Sequence, residues 1–305
     1  MTTESEMSQS GWPTNIVTRR TRSTSLALAA LEFESSHDMS DTAPKERVPL
    51  GVSITAISDT HGCHNDVEDL SPSADLLIHA GDFTKFGKEE DLHGIKEYLD
   101  RQRSRFQAIV IVNGNHECNA DWSDATKVIL EAGNEERGSR RDMANIHFLK
   151  DELVEVKIDK LGQASSKRVR IWGAQFYWPM RRARPDPSLW ESALRLVSIL
   201  PRARGGSVRC YDKNPNYDSI PKRDHEAPID VLVTHGPARG RVDGNMGCGD
   251  LAWRVDNEIR PRAVVCGHIH HAHGLVEEGG VTYVNAAICG EKGYKASKAA
   301  VQFEI

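Results

Sequence analysis

Cysteine is scarce and scattered in this chain. The six residues, Cys63, Cys118, Cys210, Cys248, Cys266 and Cys289, include no Cys-x-x-Cys pair, which argues against both a zinc knuckle and a disulfide scaffold and points to a reducing compartment. Long apolar runs are missing as well. The longest near the start, Leu26 to Leu31, is too short for a bilayer span or a signal-peptide core, and Glu4 and Glu6 precede it, so the expectation is a cytoplasmic protein without a membrane partner. Arg19, Arg20 and Arg22 among Ser and Thr have a transit-peptide flavour that the same acidic residues oppose. There is no basic excess: 39 Lys and Arg stand against 44 Asp and Glu, a net charge of −5, which argues against a nucleic-acid partner. Arg181, Arg182 and Arg184 form a local cluster read as a solvated charge run, with phosphate gripping as the alternative. Residues 1 to about 48 lack sustained periodicity and are read as a mostly disordered leader with a short helix near Ser25 to Phe33. No internal repeat is present.

What remains is the composition of a soluble globular protein, 39% hydrophobic and 27% charged over 305 residues, enough for a sizeable core. From Pro49 onward, apolar runs of strand length alternate with amphipathic stretches: Val52 to Ile57, Asp75 to His79, a helix carrying Leu92, Ile95, Tyr98 and Leu99, then Ala108 to Val112. That alternation predicts an α/β fold with a buried, largely parallel sheet. After a helix near Ser123 to Glu131 come strands Glu152 to Ile158 and Arg168 to Trp172, which make a second sheet the expectation. Residues 179 to 228 form an irregular insert with one helix around Leu189 to Leu200. Strand texture resumes at Ile229 to Val233. A helix with Leu251, Val255 and Ile259 follows, then strand Ala263 to Cys266, a hairpin around Gly279-Gly280 and a last strand from Ala299.

Each parallel-type strand is followed at once by a polar cluster: Asp59-Thr60-His61, Gly81-Asp82, Gly114-Asn115-His116-Glu117, Thr234-His235-Gly236 and Gly267-His268-Ile269-His270. In an open α/β sheet such positions converge at the carboxyl ends of the strands, where ligands bind. Carboxylates and imidazoles aimed from fixed strand ends suit a divalent metal. Histidine is a poor helix cap yet recurs in these clusters, which sets aside a role confined to turns and caps.

The five blocks, in this order, resemble the signature of the calcineurin-like metallophosphoesterases. The words Gly-Asp-Phe-Thr (81 to 84), Thr-His-Gly-Pro (234 to 237), Gly-Cys-Gly-Asp-Leu (247 to 251) and Arg-Pro-Arg-Ala-Val-Val-Cys-Gly-His-Ile-His (260 to 270) are similar to its metallophosphoesterase-domain-containing branch. The resemblance implies a four-layer α/β/β/α sandwich of two mixed sheets flanked by helices, over residues 49 to 305. It implies two divalent ions: Asp59, His61 and His270 would hold one, Asn115, His235 and His268 the other, and Asp82 would bridge both. A hard carboxylate and imidazole set without thiolate suits Mn, Fe or Zn. Two dications against two Asp carboxylates leave about +2, or about +1 with a shared hydroxide, a field that attracts a phosphate ester. By the same resemblance His116 would protonate the leaving oxygen. Protein phosphatases of the superfamily carry Asp and Arg where this chain has Lys85 and Phe86. That removes the usual carboxylate partner of the leaving-group histidine and argues against a phosphoprotein substrate. The reading is a dinuclear phosphoesterase acting on small phosphodiesters, with cyclic nucleotides as one candidate. A phosphomonoesterase in the same site and a nucleotide-binding scaffold without turnover stand as alternatives. Among lesser signals, His64 is read as touching substrate or filling a turn, His271 and His273 as a solvated loop or extra ligands, and Cys63 and Cys266 as small packing residues.

Overall fold

Every residue of strand β3 (Ala108–Val112) is buried, because both faces of the sheet it belongs to are covered. Its alternation sorts the side chains: Ala108, Val110 and Val112 face the partner sheet, while Ile109 and Ile111 face helices. The computed structural model describes residues 48–67, 74–118, 120–134, 143–160, 162, 165–174, 217–223, 228–290 and 294–305. The expected leader with its short helix, and most of the insert with its helix, Arg181, Arg182, Arg184 and Cys210, lie outside the described residues.

Strands β1 (Ser53–Ile57), β2 (Leu76–His79), β3 and β4 (Asn145–Leu149) run parallel, with β11 (Val301–Glu304) antiparallel on β1, in the order β11-β1-β2-β3-β4. The second sheet has the order β5-β6-β7-β8-β10-β9. In it β6 (Lys167–Gly173), β7 (Val231–Val233), β8 (Ala263–Cys266) and β10 (Val281–Asn285) are parallel, with β5 (Glu152–Ile158) and β9 (Gly274–Glu278) antiparallel at its edges. The inner faces bury Ile54, Ile78 and Val110 against Ile171, Val233 and Val265. Helices α1 (Glu89–Gln102) and α3 (Thr126–Glu131) cover the outer face of the first sheet through Leu92, Ile95, Leu99 and Leu130. Helix α4 (Gly249–Arg254), continued by a wider turn at Val255–Ile259, covers the second through Leu251, Val255 and Ile259. This is the expected four-layer α/β/β/α sandwich. No helix among the described residues is long and apolar enough to cross a membrane.

The sequence reading had no strand at β4. Asn-Ile-His-Phe-Leu mixes polar and apolar residues, and its burial comes from pairing with β3 and from α3, neither of which is a local signal. The helix expected near Ser123 begins as a single tight turn at Ser123–Ala125 before α3; some strand limits move by one or two residues and the others stand as expected.

Candidate metal centre

Five strand ends from two sheets meet here. Asp59 and His61 follow β1, and Asp82 follows β2. Asn115 opens the short helix α2 (Asn115–Cys118) after β3, His235 follows β7, and His268 and His270 follow β8. The chain must turn sharply at each end. Asp59, His61, Asp82 and His268 all take left-handed backbone angles, with φ of 53°, 42°, 53° and 65°. Strain of this kind is held only where the surroundings over-determine it, and it clusters at functional sites. Two glycines leave room for the carboxylates: a Cβ at Gly114 would lie 2.1 Å from Asp82 Oδ1, and one at Gly267 would lie 2.2 Å from Asp59 Oδ2.

The imidazoles are aimed by backbone carbonyls. Nδ1–H of His61 donates to Thr84 O (3.2 Å), that of His235 to Ala80 O (2.7 Å) and that of His270 to Gly290 O (3.1 Å). Each bond leaves Nε2 as the lone-pair nitrogen facing inward, the arrangement that metal-ligating histidines need. His61 Nε2 and His270 Nε2 are 3.4 Å apart, His270 Nε2 is 3.1 Å from Asp59 Oδ1, and His235 Nε2 is 3.2 Å from Asp82 Oδ2. Three groups have donor atoms within 4.8 Å of one another: Asp59, His61 and His270; His61, Asp82 and His116; and Asp82, His235 and His268. Asp82 and His61 each belong to two of them, and Asp82 alone of the carboxylates does so. Asn115 Oδ1 is buried beside this cluster, and the neighbouring His116 N–H donates to Asp82 Oδ1 (2.9 Å).

Asp59 and Asp82 are buried, and their recorded ion-pair partners among the described residues are histidines alone. Burial works against their charge, but His235 and the other imidazoles outweigh it and hold both carboxyls below their ordinary range. The same pairing acts on His235. Burial opposes its charge most strongly, yet Asp82 and Asp59 together raise it to about 9. Burial takes His268 the other way, to about 4. Two buried carboxylates compensated only by imidazoles, the His235 ring among them holding on Nε2 a proton that a bound cation would displace, make a donor set that fits divalent cations.

Glu117 is the buried hub behind this set. Its carboxylate accepts from the N–H groups of Asp82 (2.9 Å), Thr84 (2.8 Å) and Gly114 (2.8 Å) and from the Thr84 hydroxyl (2.7 Å), tying the β2 and β3 ends together. Burial, with the Asp82 charge beside it, raises its carboxyl to about 7 against the pull of those donors. The sequence reading placed Glu117 in a block but gave it no task. It missed His79 and Tyr294 outright, because nothing local ties them to the site. His116 differs from the inward imidazoles: its Nδ1 accepts the Phe86 N–H (2.8 Å), so the ring proton sits on Nε2, 3.8 Å from Asp82 Oδ2. His64 is turned away, packed on Tyr98 and against Gly94 of α1. Contact with substrate is therefore not its task; it is core. His271 lies against Gly244. Cys63 Sγ donates to Tyr294 O and Cys266 Sγ to Val284 O, as packing residues do.

A fold of this kind with such a strand-end cluster is that of a phosphoesterase, and the family model for calcineurin-like phosphoesterases matches residues 52–272. The chain belongs to this family. Within it the chain is similar to Metallophosphoesterase domain-containing protein 1 of Homo sapiens, 25% identical over 279 residues, spanning 84% of this chain and 73% of that one. A UPF0046 protein of Caenorhabditis elegans is 28% identical over 271 residues, 87% of this chain and 79% of its own. Among solved structures, the calcineurin-like phosphoesterase YfkN from Bacillus subtilis aligns over 78% of this chain and 83% of that one, at 14% identity and a TM-score of 0.38. Family and donor groups together support a metal-dependent phosphoric ester hydrolase of the metallophosphoesterase-domain-containing branch.

Proposed function

We propose that the protein hydrolyses small phosphodiesters, cyclic nucleotides among the candidates, at a centre of two divalent ions drawn from Mn, Fe and Zn. The observation that carries the dinuclear reading is the place of Asp82 in two donor groups, one shared with His61 and His116 and one with His235 and His268. Asp59, His61 and His270 would hold one ion, Asn115, His235 and His268 would hold the other, and Asp82 would serve both. When bound, the ions supply Lewis acidity toward the phosphoryl oxygens and a nucleophile at neutral pH. The chain's own contribution is to hold the ester and to manage the leaving oxygen. His116 presents Nε2–H toward that oxygen as a hydrogen-bond donor, and the Phe86 amide on Nδ1 fixes which nitrogen does so; to act as general acid the ring would first take a proton on Nδ1 in place of that amide contact, so that it returns to neutral imidazole when Nε2–H is given up. Lys85 holds its ammonium over the Tyr294 ring, 5.6 Å from the ring centroid. Cys63, Cys248, Cys266 and Cys289 are thiols outside any disulfide, in keeping with a cytoplasmic setting.

The test strips the protein of metal, reloads it separately with Mn, Fe, Zn and Mg, and measures metal content and turnover on matched mono- and diesters. Two ions per chain and a higher kcat/KM for diesters are expected, and Asp82→Ala should lose more activity than any change to a ligand of one ion. One ion per active chain would overturn the dinuclear reading. Faster monoester turnover would overturn the substrate class.

A further inference from the structure

Two of the imidazoles proposed for one ion lean on a single stretch of chain. Past β10 the backbone runs through Ile288, Cys289 and Gly290, and residues 294–298 return beside it. Gly290 N–H donates to Lys295 O (3.2 Å), Ser297 N–H donates to Ile288 O (3.2 Å), and Cys289 and Ala296 form an isolated antiparallel bridge. From this stretch Gly290 O accepts the His270 Nδ1–H (3.1 Å), and the Tyr294 ring lies against His61, 4.2 Å between centroids. The Cys63 thiol, close behind His61 in the chain, donates to Tyr294 O (2.8 Å). His235, proposed for the other ion, is aimed from elsewhere, by Ala80 O just past β2.

The main chain of His270 needs a further hold. It opens a single tight turn, His270–Ala272, and the bond that closes this turn, from His273 N–H to His270 O, is long (3.4 Å). Lys298 supplies the hold. Its half-buried side chain donates from Nζ to the His270 carbonyl and, at 3.1 Å, to the Cys289 carbonyl. One ammonium thus joins the ligand's own backbone to the residue before Gly290, whose oxygen aims the ligand's ring. Bonds from a charged donor are stronger than neutral ones. The ring and the backbone of His270 are both fixed to the same short stretch, which leaves Nε2 at 3.1 Å from Asp59 Oδ1.

We infer that Lys298 is a positioning residue of the metal centre: by clamping the His270 and Cys289 carbonyls it fixes the His270 ring, and so governs affinity for the ion of Asp59, His61 and His270 alone. The inference rests on the two-ion reading and adds which part of the chain supports which ion. Groups behind a metal-ligating histidine set its orientation and strengthen its hold on the metal. Lys298 acts one step further back, through the main chain, so its loss belongs at the lower end of such effects. The sign separates this role from plain electrostatics. Taking a positive charge away from the neighbourhood of a dication tightens binding, whereas releasing a clamp weakens it.

The experiment titrates Mn²⁺ into the full, metal-stripped chain by calorimetry against a competing chelator, and His270→Ala identifies which binding step belongs to its ion. Lys298→Met should weaken that step by about tenfold and leave the other within about twofold. Lys298→Arg, which keeps the charge and the paired donors, should recover most of the loss. Lys298→Gln, whose shorter amide reaches one carbonyl at most, should fall between them, and it takes the place of Lys298→Met if that chain does not fold. In the double variant His270→Ala, Lys298→Met, the remaining step should match that of His270→Ala alone. Both steps weakening together, or the double variant losing more, would mean that Lys298 only props the fold, and overturns the clamp. Unchanged affinities overturn it, and so does tighter binding in Lys298→Met. An unsubstituted chain that takes up one ion, lost in His270→Ala and weakened in Lys298→Met, ends the two-ion reading and keeps the clamp. One ion retained in His270→Ala overturns the clamp, and no ion at all overturns both.

Discussion

The tautomer of each histidine in this site follows from what its Nδ1 touches. Carbonyl oxygens behind His61, His235 and His270 force Nδ1–H and leave Nε2 as the candidate ligand atom; an amide N–H behind His116 forces the reverse and makes Nε2 a donor. If His116 donates to the leaving oxygen, its loss should matter most where that oxygen departs poorly. His116→Ala should cost little on a nitrophenyl ester and ~10²- to 10⁴-fold on an alkyl or ribose ester, with metal content unchanged. Equal losses on both esters would move its role to holding the phosphoryl group. His79 makes a separate prediction. It is enclosed, accepting from Gly81 N–H at Nδ1 (3.2 Å) and paired with Thr60 Oγ1 at Nε2 (3.0 Å), and burial lowers it from 6.5 to about 3. Between those values the unfolded chain binds a proton that the folded one refuses. Stability is therefore complete above the ordinary histidine range and falls as pH drops. The loss from this residue is about 2 kcal/mol on going from about pH 7 to about pH 5. Urea unfolding at the two pH values should show a slope that His79→Gln flattens, whatever that change does to absolute stability. An identical slope in the variant would assign the acid sensitivity elsewhere.

Among the elements, α1 was legible because its apolar residues, Leu92, Ile95 and Leu99, recur at helical spacing, with Glu89, Glu90 and Asp91 in the first turn and Arg101 in the last. Strand β4 was not, since its burial is supplied by neighbours. The residue just past α1 joins the two regions. Arg103 is fully buried and donates to Asp100 Oδ1 (2.7 Å), Asn134 Oδ1 (2.8 Å), Ala144 O (3.0 Å) and Ala132 O (3.2 Å), connecting the ends of α1 and α3 to the start of β4. Arg103→Met keeps much of the volume but leaves two carbonyls without this donor. It should lower stability by about 3 kcal/mol, read as a shift in the urea midpoint, while the folded fraction keeps its metal content. A shift within experimental error would mean that solvent or rearranged side chains replace the guanidinium. The loop at 84 to 87 teaches the complementary lesson: its sequence word signalled a departure from protein phosphatases, but not that an amide donor, opposite in sense to the missing carboxylate acceptor, would stand behind His116.

Across the whole molecule, all seven candidate ligands and His116 lie between Asp59 and His270, within the segment that carries both sheets. A chain starting at Val48, whose carbonyl accepts from Arg262 Nη1 (2.8 Å), should therefore keep its turnover number within a factor of about two. A larger fall would give residues before Val48 a part in the site. The sequence by itself determined the order of strands and helices apart from β4, the buried character of the sheets and the identity of the residues at each strand end that carries the site. Those are properties of local periodicity and of residue type, and they survive without knowledge of partners. Only the tertiary structure decided which nitrogen each imidazole turns inward, the left-handed turns at Asp59, His61, Asp82 and His268, the hub at Glu117, and the approach of Tyr294 to His61 and Phe86. Each of these depends on atoms brought together from strands far apart in the chain. Packing two sheets face to face is what sets their strand ends, and hence those atoms, at hydrogen-bonding distance.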